Sequence, residues 1–186
     1  MNDWEPLRPE DAAELLRGLA APWWIAGGWS LDLFLGVELR PHKDLDVAVL
    51  RRDQARLLEA LPDWELCTAH DGRLERWDGT PLPPDRHGLW ARPRGAGRWH
   101  LEFVLDDAEG DTWRYRREPR VTRPLASLGP SGGPLPPEFA LLYKAREPGQ
   151  ERDWRAVVPR LDAAARTWLA DAVALAHPAS PYLELV

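Results

Sequence analysis

The stretch "WWIAGGWSLDLFLGVELRPHKDLDVAVL", residues 23–50, decides the fold of this chain. Its opening "WWIAG" is a short apolar strand closed by Gly27 and Gly28. In "WSLDLFLG" the residues Leu31, Phe34 and Leu35 share one helical face, and Gly36 supplies a helix stop. "KDLDVAVL" then alternates, with Leu45, Val47 and Val49 on one face and Asp44 and Asp46 on the other. The order is strand, glycine turn, helix, strand. An apolar core needs none of the glycine pair, the basic cluster Arg40, His42 and Lys43, or the two carboxylates.

Each polar feature has a bland reading. An Asp-x-Asp pair alone is often the solvated face of an edge strand, and a Gly pair is often only a tight turn. Together they narrow. Two carboxylates on one strand face repel unless a cation lies between them, and hard divalent ions such as Mg²⁺ take such oxygen ligands. A glycine turn opening a helix lets backbone N–H groups approach a phosphate closely. Arg40, His42 and Lys43 just before the Asp pair are either a solvated loop or partners for a triphosphate.

Outward from this segment, "PEDAAELLRGLA" has the spacing of an amphipathic helix, and "RDQARLLEALPD" a second, with Leu57, Leu58 and Leu61 apolar. From Trp64 to Leu125 short β-prone runs are separated by Gly, Pro and Asp clusters, which reads as added, largely antiparallel strands. One of them, "RWHLEFVLDD", places Trp99, Leu101, Phe103 and Leu105 on one face and His100, Glu102 and Val104 on the other. An acid in mid-strand is costly unless used. Beside the Asp44 strand, Glu102 can complete a metal site or take a proton from a nucleophile; otherwise it is an ion-paired strand residue. Arg116 and Arg117 in "YRRE" are less specific, because successive strand residues point apart.

"LGPSGGPLPP" reads as a link, and helical periods resume after it. The expected division is a catalytic domain over residues 1–133 and a C-terminal helical subdomain over 134–186. Lys144, on "EFALLYKAR", either reaches the cleft between the two as a phosphate contact or snorkels at the surface.

The whole has 186 residues, 44% of them apolar and 29% charged, enough for one compact unit with a real core. Cys67 is the single cysteine, so an intrachain disulfide and a cysteine-type zinc site are excluded and a reducing compartment is expected. The sequence shows neither a signal-peptide pattern nor a run of about 18 apolar residues, so the expected location is the cytoplasm, with no membrane partner. The net charge of −6 argues against a nucleic-acid partner held through a general electrostatic surface.

With these residues in place, "AGGW" and "DLDV" resemble the signature of the nucleotidyltransferases of the DNA polymerase β superfamily. Within it, "IAGGWSLDLFLGVELRPHKDLDVAVLRRD", "HGLWARP", "WHLEFVLDDAEGDTWRYRRE" and "PPEFALLYKAR…RDW" are similar to the aminoglycoside 2''-adenylyltransferase-like group, which includes lincosamide nucleotidyltransferases. The resemblance implies an α+β nucleotidyltransferase fold: a mixed sheet with flanking helices, polymerase β-like, plus a small C-terminal helical lobe. It implies that Asp44 and Asp46 bind Mg²⁺, two ions in all, that Gly27 and Gly28 hold the phosphates of ATP or another NTP, and that Glu102 is the third carboxylate, metal ligand or base. It also implies that Arg40, His42 and Lys144 line the nucleotide site. Gly28 stands where the signature also allows Ser, which removes a hydroxyl contact to phosphate. The expected activity is Mg²⁺-dependent transfer of AMP from ATP to a hydroxyl of a small molecule such as an aminoglycoside-like antibiotic. The alternatives are modification of a protein or tRNA, or an inactive nucleotide-binding module.

Overall fold

Residues 3–70 and 72–186 are described by a computed structural model. Eight strands form one mixed sheet: β1 (Trp23–Ile25), β2 (Asp46–Leu50), β3 (Trp64–His70), β4 (Arg73–Arg76), β5 (Gly88–Pro93), β6 (Leu101–Glu109), β7 (Thr112–Arg114) and β8 (Thr122–Pro124). The main path runs β1-β2-β6-β5-β3-β4, and β7 extends from β6 to β8. Among these described strands only β2 and β6 pair in parallel; the added strands pair antiparallel, as their turn-separated texture predicts.

Strict alternation along β2 and β6 gives the sheet two different faces. On one face Val47, Val49, Leu101, Phe103 and Leu105 meet Ala12 and Leu16 of the helical segment beginning with α1 (Pro9–Leu15), and Leu57 and Leu61 at α3 (Arg56–Ala60). On the other, Ala48 and Leu50 meet Leu31 of α2 (Gly27–Leu35) and a large aromatic core around Trp113, Tyr115, Phe139 and Trp154. That second core is built with α4 (Pro137–Lys144), α5 (Glu151–Val157) and α6 (Ala163–Ala176). Burying each such ring contributes on the order of 1.5–3 kcal/mol or more.

The link after residue 128 is pinned rather than free. Trp24 Nε1 donates to the Gly129 carbonyl at 3.1 Å, Ile25 N to the Gly133 carbonyl at 2.9 Å, and Leu135 N to the Ile25 carbonyl at 2.8 Å. The segment therefore covers the outer edge of β1, satisfying backbone groups that an edge would leave open. The helices after residue 133 share one core with Trp24, Ala48 and Trp113. No helix among the described residues is long and apolar enough to cross a membrane.

One expected alternation fails. Trp99 does not share the face of Leu101: its ring sits 5.8 Å from Trp90 and beneath the Arg92 guanidinium at 4.1 Å, whereas His100 lies edge-on to Trp64. Strand β6 begins only at Leu101, and before it the chain follows the bridge between Trp4 and Trp99 instead of the pleat.

Candidate active site

The register of the parallel pair places Asp46 of β2 opposite Glu102 of β6, both on the face that the C-terminal helices cover in part. The 55 residues between them close on this one pairing. The amide of Glu102 donates to the Leu45 carbonyl at 2.8 Å, fixing the two backbones. Asp44 precedes β2, is exposed, and makes no ion pair among the described residues.

Burial pushes the Asp46 carboxyl well above its usual range, and repulsion from Glu102 and Asp44 adds to it, with Lys144 acting the other way. Glu102 is pushed up to about 7, again mainly by burial and then by Asp44, while Trp90 and Arg116 lower it. Two acids that repel at the edge of a cleft are a site lacking positive charge.

Glycines make room for both. A Cβ on Gly27, whose φ is +61°, would lie 2.0 Å from Asp46 Oδ2, and one on Gly88 would lie 2.4 Å from Glu102 Oε1. Gly27 opens α2 directly, so the helix N-terminus meets the Asp46 carboxylate. Gly88→Ala, which has no strained φ to confound it, is expected to displace Glu102 and lower activity on the order of 10-fold or more, since small misplacements of reacting groups are expensive. Gly97→Ala, where a Cβ meets nothing within 4 Å, is the control. Steady-state turnover with parallel melting curves checks it; unchanged turnover in Gly88→Ala would show that Glu102 need not be held here.

Beside Asp46 lies a cleft of about 380 Å³, whose lining includes Gly27, Gly28, Asp44, Asp46, Asp106, Tyr143 and Lys144. Arg40 and Lys144 also line it. The Lys144 ammonium is 3.1 Å from Asp153 Oδ2 and 2.9 Å from Gln150 Oε1, and Arg40 reaches the same Asp153 oxygen at 4.0 Å. Lys144 therefore does not snorkel.

His42 behaves differently from Arg40. Its Nε2 lies 2.6 Å from Asp32 Oδ2, its ring packs on Trp29 at 4.4 Å, and its side chain is only 3% exposed. It is absent from the cleft wall. A Cβ on Gly28 would strike its Cε1 at 2.6 Å, so His42 and Asp32 clamp the loop before Asp44 onto the start of α2. We assign it a positioning role.

Sequence reasoning missed Asp106, Tyr143 and Gln150, and gave too little weight to Arg116 and Arg117. The two arginines stand in a turn after β7, not in a strand, so both can line the cleft. The Tyr143 hydroxyl donates to Asp106, which is 2% exposed. Asp106 was legible as the next even position after Glu102 and Val104. The cleft wall carries Arg40, Lys43, Arg116, Arg117 and Lys144 against Asp44, Asp46, Asp106 and Glu147. The acidity of the chain is thus not concentrated there.

Among the described residues no three His, Cys, Asp or Glu side chains close into a metal cage. Mg²⁺ seldom needs one: it is commonly held by one or two carboxylates with substrate phosphates and water completing the shell. Asp46, with Asp44 at the mouth and Glu102 alongside, fits that donor set.

Comparison with known proteins agrees with this architecture. Residues 10–77 match the family model for aminoglycoside-2''-adenylyltransferase, the segment that carries Gly27, Gly28, Asp44 and Asp46. A crystal structure of ANT(2'')-Ia in complex with adenylyl-2''-tobramycin superposes with a TM-score of 0.54 at 15% identity, over 86% of this chain and 91% of that one. A solution structure of ANT(2'')-Ia gives 0.50 at 17%, over 87% and 90%. The lincosamide adenylyltransferase LnuA with lincomycin bound gives 0.49 at 14%, over 90% and 98%. No curated protein matches by sequence. At these identities the structural likeness establishes the nucleotidyltransferase fold.

Proposed function

We propose that this chain, which has the nucleotidyltransferase fold and matches the aminoglycoside-2''-adenylyltransferase model over residues 10–77, is an adenylyltransferase of that kind and moves AMP from ATP to a hydroxyl of a small molecule of the antibiotic class. The observation that carries this reading is the Asp46–Glu102 register pair beside a cleft bordered by the Gly27–Gly28 turn.

Asp44 and Asp46 would hold Mg²⁺, which when bound supplies Lewis-acid polarisation of the phosphoryl group and offsets charge in the transition state. The backbone N–H groups at the start of α2 orient the phosphates, helped by the positive end of a nine-residue helix. Lys144 and Arg40, both facing Asp153, add positive charge on the cleft wall. Glu102 takes the proton of the acceptor hydroxyl, with a pKa near 7 suited to a general base. The acceptor oxygen forms its bond to the α-phosphorus, the bond to the bridging oxygen breaks, and pyrophosphate leaves with that electron pair. His42 and Asp32 keep the loop before Asp44 in place.

The acceptor must approach Glu102 from outside the cleft, because Glu102 flanks the cavity without lining it. The direct test is incubation with each of the four NTPs and Mg²⁺ across a panel of aminoglycosides and lincosamides, with tRNA and protein as further acceptors. A mass gain of one nucleoside monophosphate on an antibiotic is the expected result. Label on tRNA or protein alone would reassign the acceptor, and nucleotide binding without pyrophosphate release for any acceptor would leave only an inactive module.

A further inference from the structure

Arg116 is held in the cleft without being neutralised. The guanidinium carbon lies 4.7 Å from the centre of the Tyr143 ring. The Tyr143 hydroxyl is tied to buried Asp106, and its carbonyl accepts from Arg117 Nη1 at 2.7 Å. Arg117 also donates to the Tyr115 hydroxyl at 3.3 Å, so of the two neighbours it is the one committed to the scaffold. Among the described residues no carboxylate lies within 4.0 Å of Arg116, although Glu102 and Asp106 both feel its charge. Other arginines of the same fold are paired closely: Arg51 with Asp107 and Arg123 with Glu138, each at 2.6 Å.

An ordered, unpaired guanidinium facing a pocket is an anion site with a definite shape. Its planar fork of N–H donors matches two phosphoryl oxygens at once, and stacking on an aromatic ring removes part of the entropy otherwise lost on binding. Position narrows the ligand further. On β6 the cleft face carries Glu102, Val104 and Asp106 in turn, so Asp106 lies roughly 13 Å along the strand from Glu102. Arg116 is stacked on Tyr143 at that end, on the turn after β7, and its long side chain lets its charge reach Glu102 as well as Asp106.

Resting on the nucleotidyl-transfer reading above, we propose that Arg116 grips the β- and γ-phosphoryl oxygens of the nucleotide and stabilises the departing pyrophosphate, with Tyr143 and Asp106 as its mount. Lys144 lines the same cleft, and its charge acts on Asp46. Thus the phosphate chain runs between two cations borne by different parts of the fold, one on the turn after β7 and one on α4.

The test is calorimetric binding, at fixed Mg²⁺, of a non-hydrolysable ATP analogue, inorganic pyrophosphate and AMP to the wild type, Arg116→Gln, Arg116→Lys and Tyr143→Phe. Arg116→Gln is expected to weaken the analogue and pyrophosphate on the order of 10-fold, as for a lost charge-assisted hydrogen bond, and to leave AMP within about twofold. Arg116→Lys, which keeps the charge and loses the fork, falls between. Tyr143→Phe keeps the ring and loses the tie to Asp106, giving a smaller loss with the same ligand pattern. In turnover, kcat/KM for ATP falls while the KM of the acceptor holds. Equal losses for AMP and the analogue, unchanged pyrophosphate binding in Arg116→Gln, or a shift in acceptor KM alone would overturn the assignment. A wild type that binds no nucleotide at all would instead remove the nucleotidyl-transfer reading on which it rests.

Discussion

Asp46→Asn is expected to reduce Mg²⁺-dependent pyrophosphate release on the order of 10²- to 10³-fold while leaving the metal-free protein as stable as the wild type or more so. The two signs have one cause. Asp46 is held beside Glu102 in a half-buried position where desolvation and the neighbouring acids disfavour its charge. Asn is nearly isosteric, keeps the fit against Gly27 and carries no charge to repel Glu102. The cation-binding charge is lost, and with it the group that would offset charge developing on the phosphates. Pyrophosphate release and melting curves in a chelator are the paired measurements. A variant with near-wild-type turnover would remove Asp46 from the metal site, and one that melted far lower would show that its carboxylate is structural.

This opposition between stability and activity also separates what was legible in the sequence from what was not. Local patterning fixes the strand–glycine–helix–strand unit: Gly36 takes the left-handed conformation that ends α2, and Val47 and Val49 alternate with Asp46 and Ala48 along β2, both of whose faces are covered. The acid at position 102 stood out because its neighbours Leu101 and Phe103 left no apolar reason for it. The slip at Trp99 was invisible, because it arises from a bridge to Trp4 nearly a hundred residues away. His42 looked like a phosphate contact from spacing alone, and its tie to Asp32 became readable only once α2 was folded beside the loop. Tyr143 and Arg116 meet across the joint between sheet and C-terminal helices, so neither local period nor composition could bring them together.

Glu102→Gln provides the second large effect, a loss of turnover on the order of 10²-fold or more if the carboxylate takes the acceptor's proton. It also changes how stability responds to pH. In the folded, metal-free protein Glu102 has a pKa of about 7, above the ordinary 4.5, so between these values the folded state holds a proton that the unfolded chain releases. Stability of the chelated wild type therefore falls as pH rises through this window, having been fully present below it. Asp46 is shifted in the same direction and adds to the slope. Removing the Glu102 charge deletes one contribution and lessens the other, because Glu102 is among the causes of the Asp46 shift. The expected result is a shallower decline of Tm from pH 4.5 to 7 in Glu102→Gln than in the wild type, both in EDTA. Mg²⁺ should act with the opposite slope, since its ligands must shed protons to bind, so metal stabilisation of the wild type grows as pH rises. Parallel Tm curves for the two proteins in EDTA would mean that Glu102 is already ionised when folded, and the base at the reaction centre would then have to be sought elsewhere.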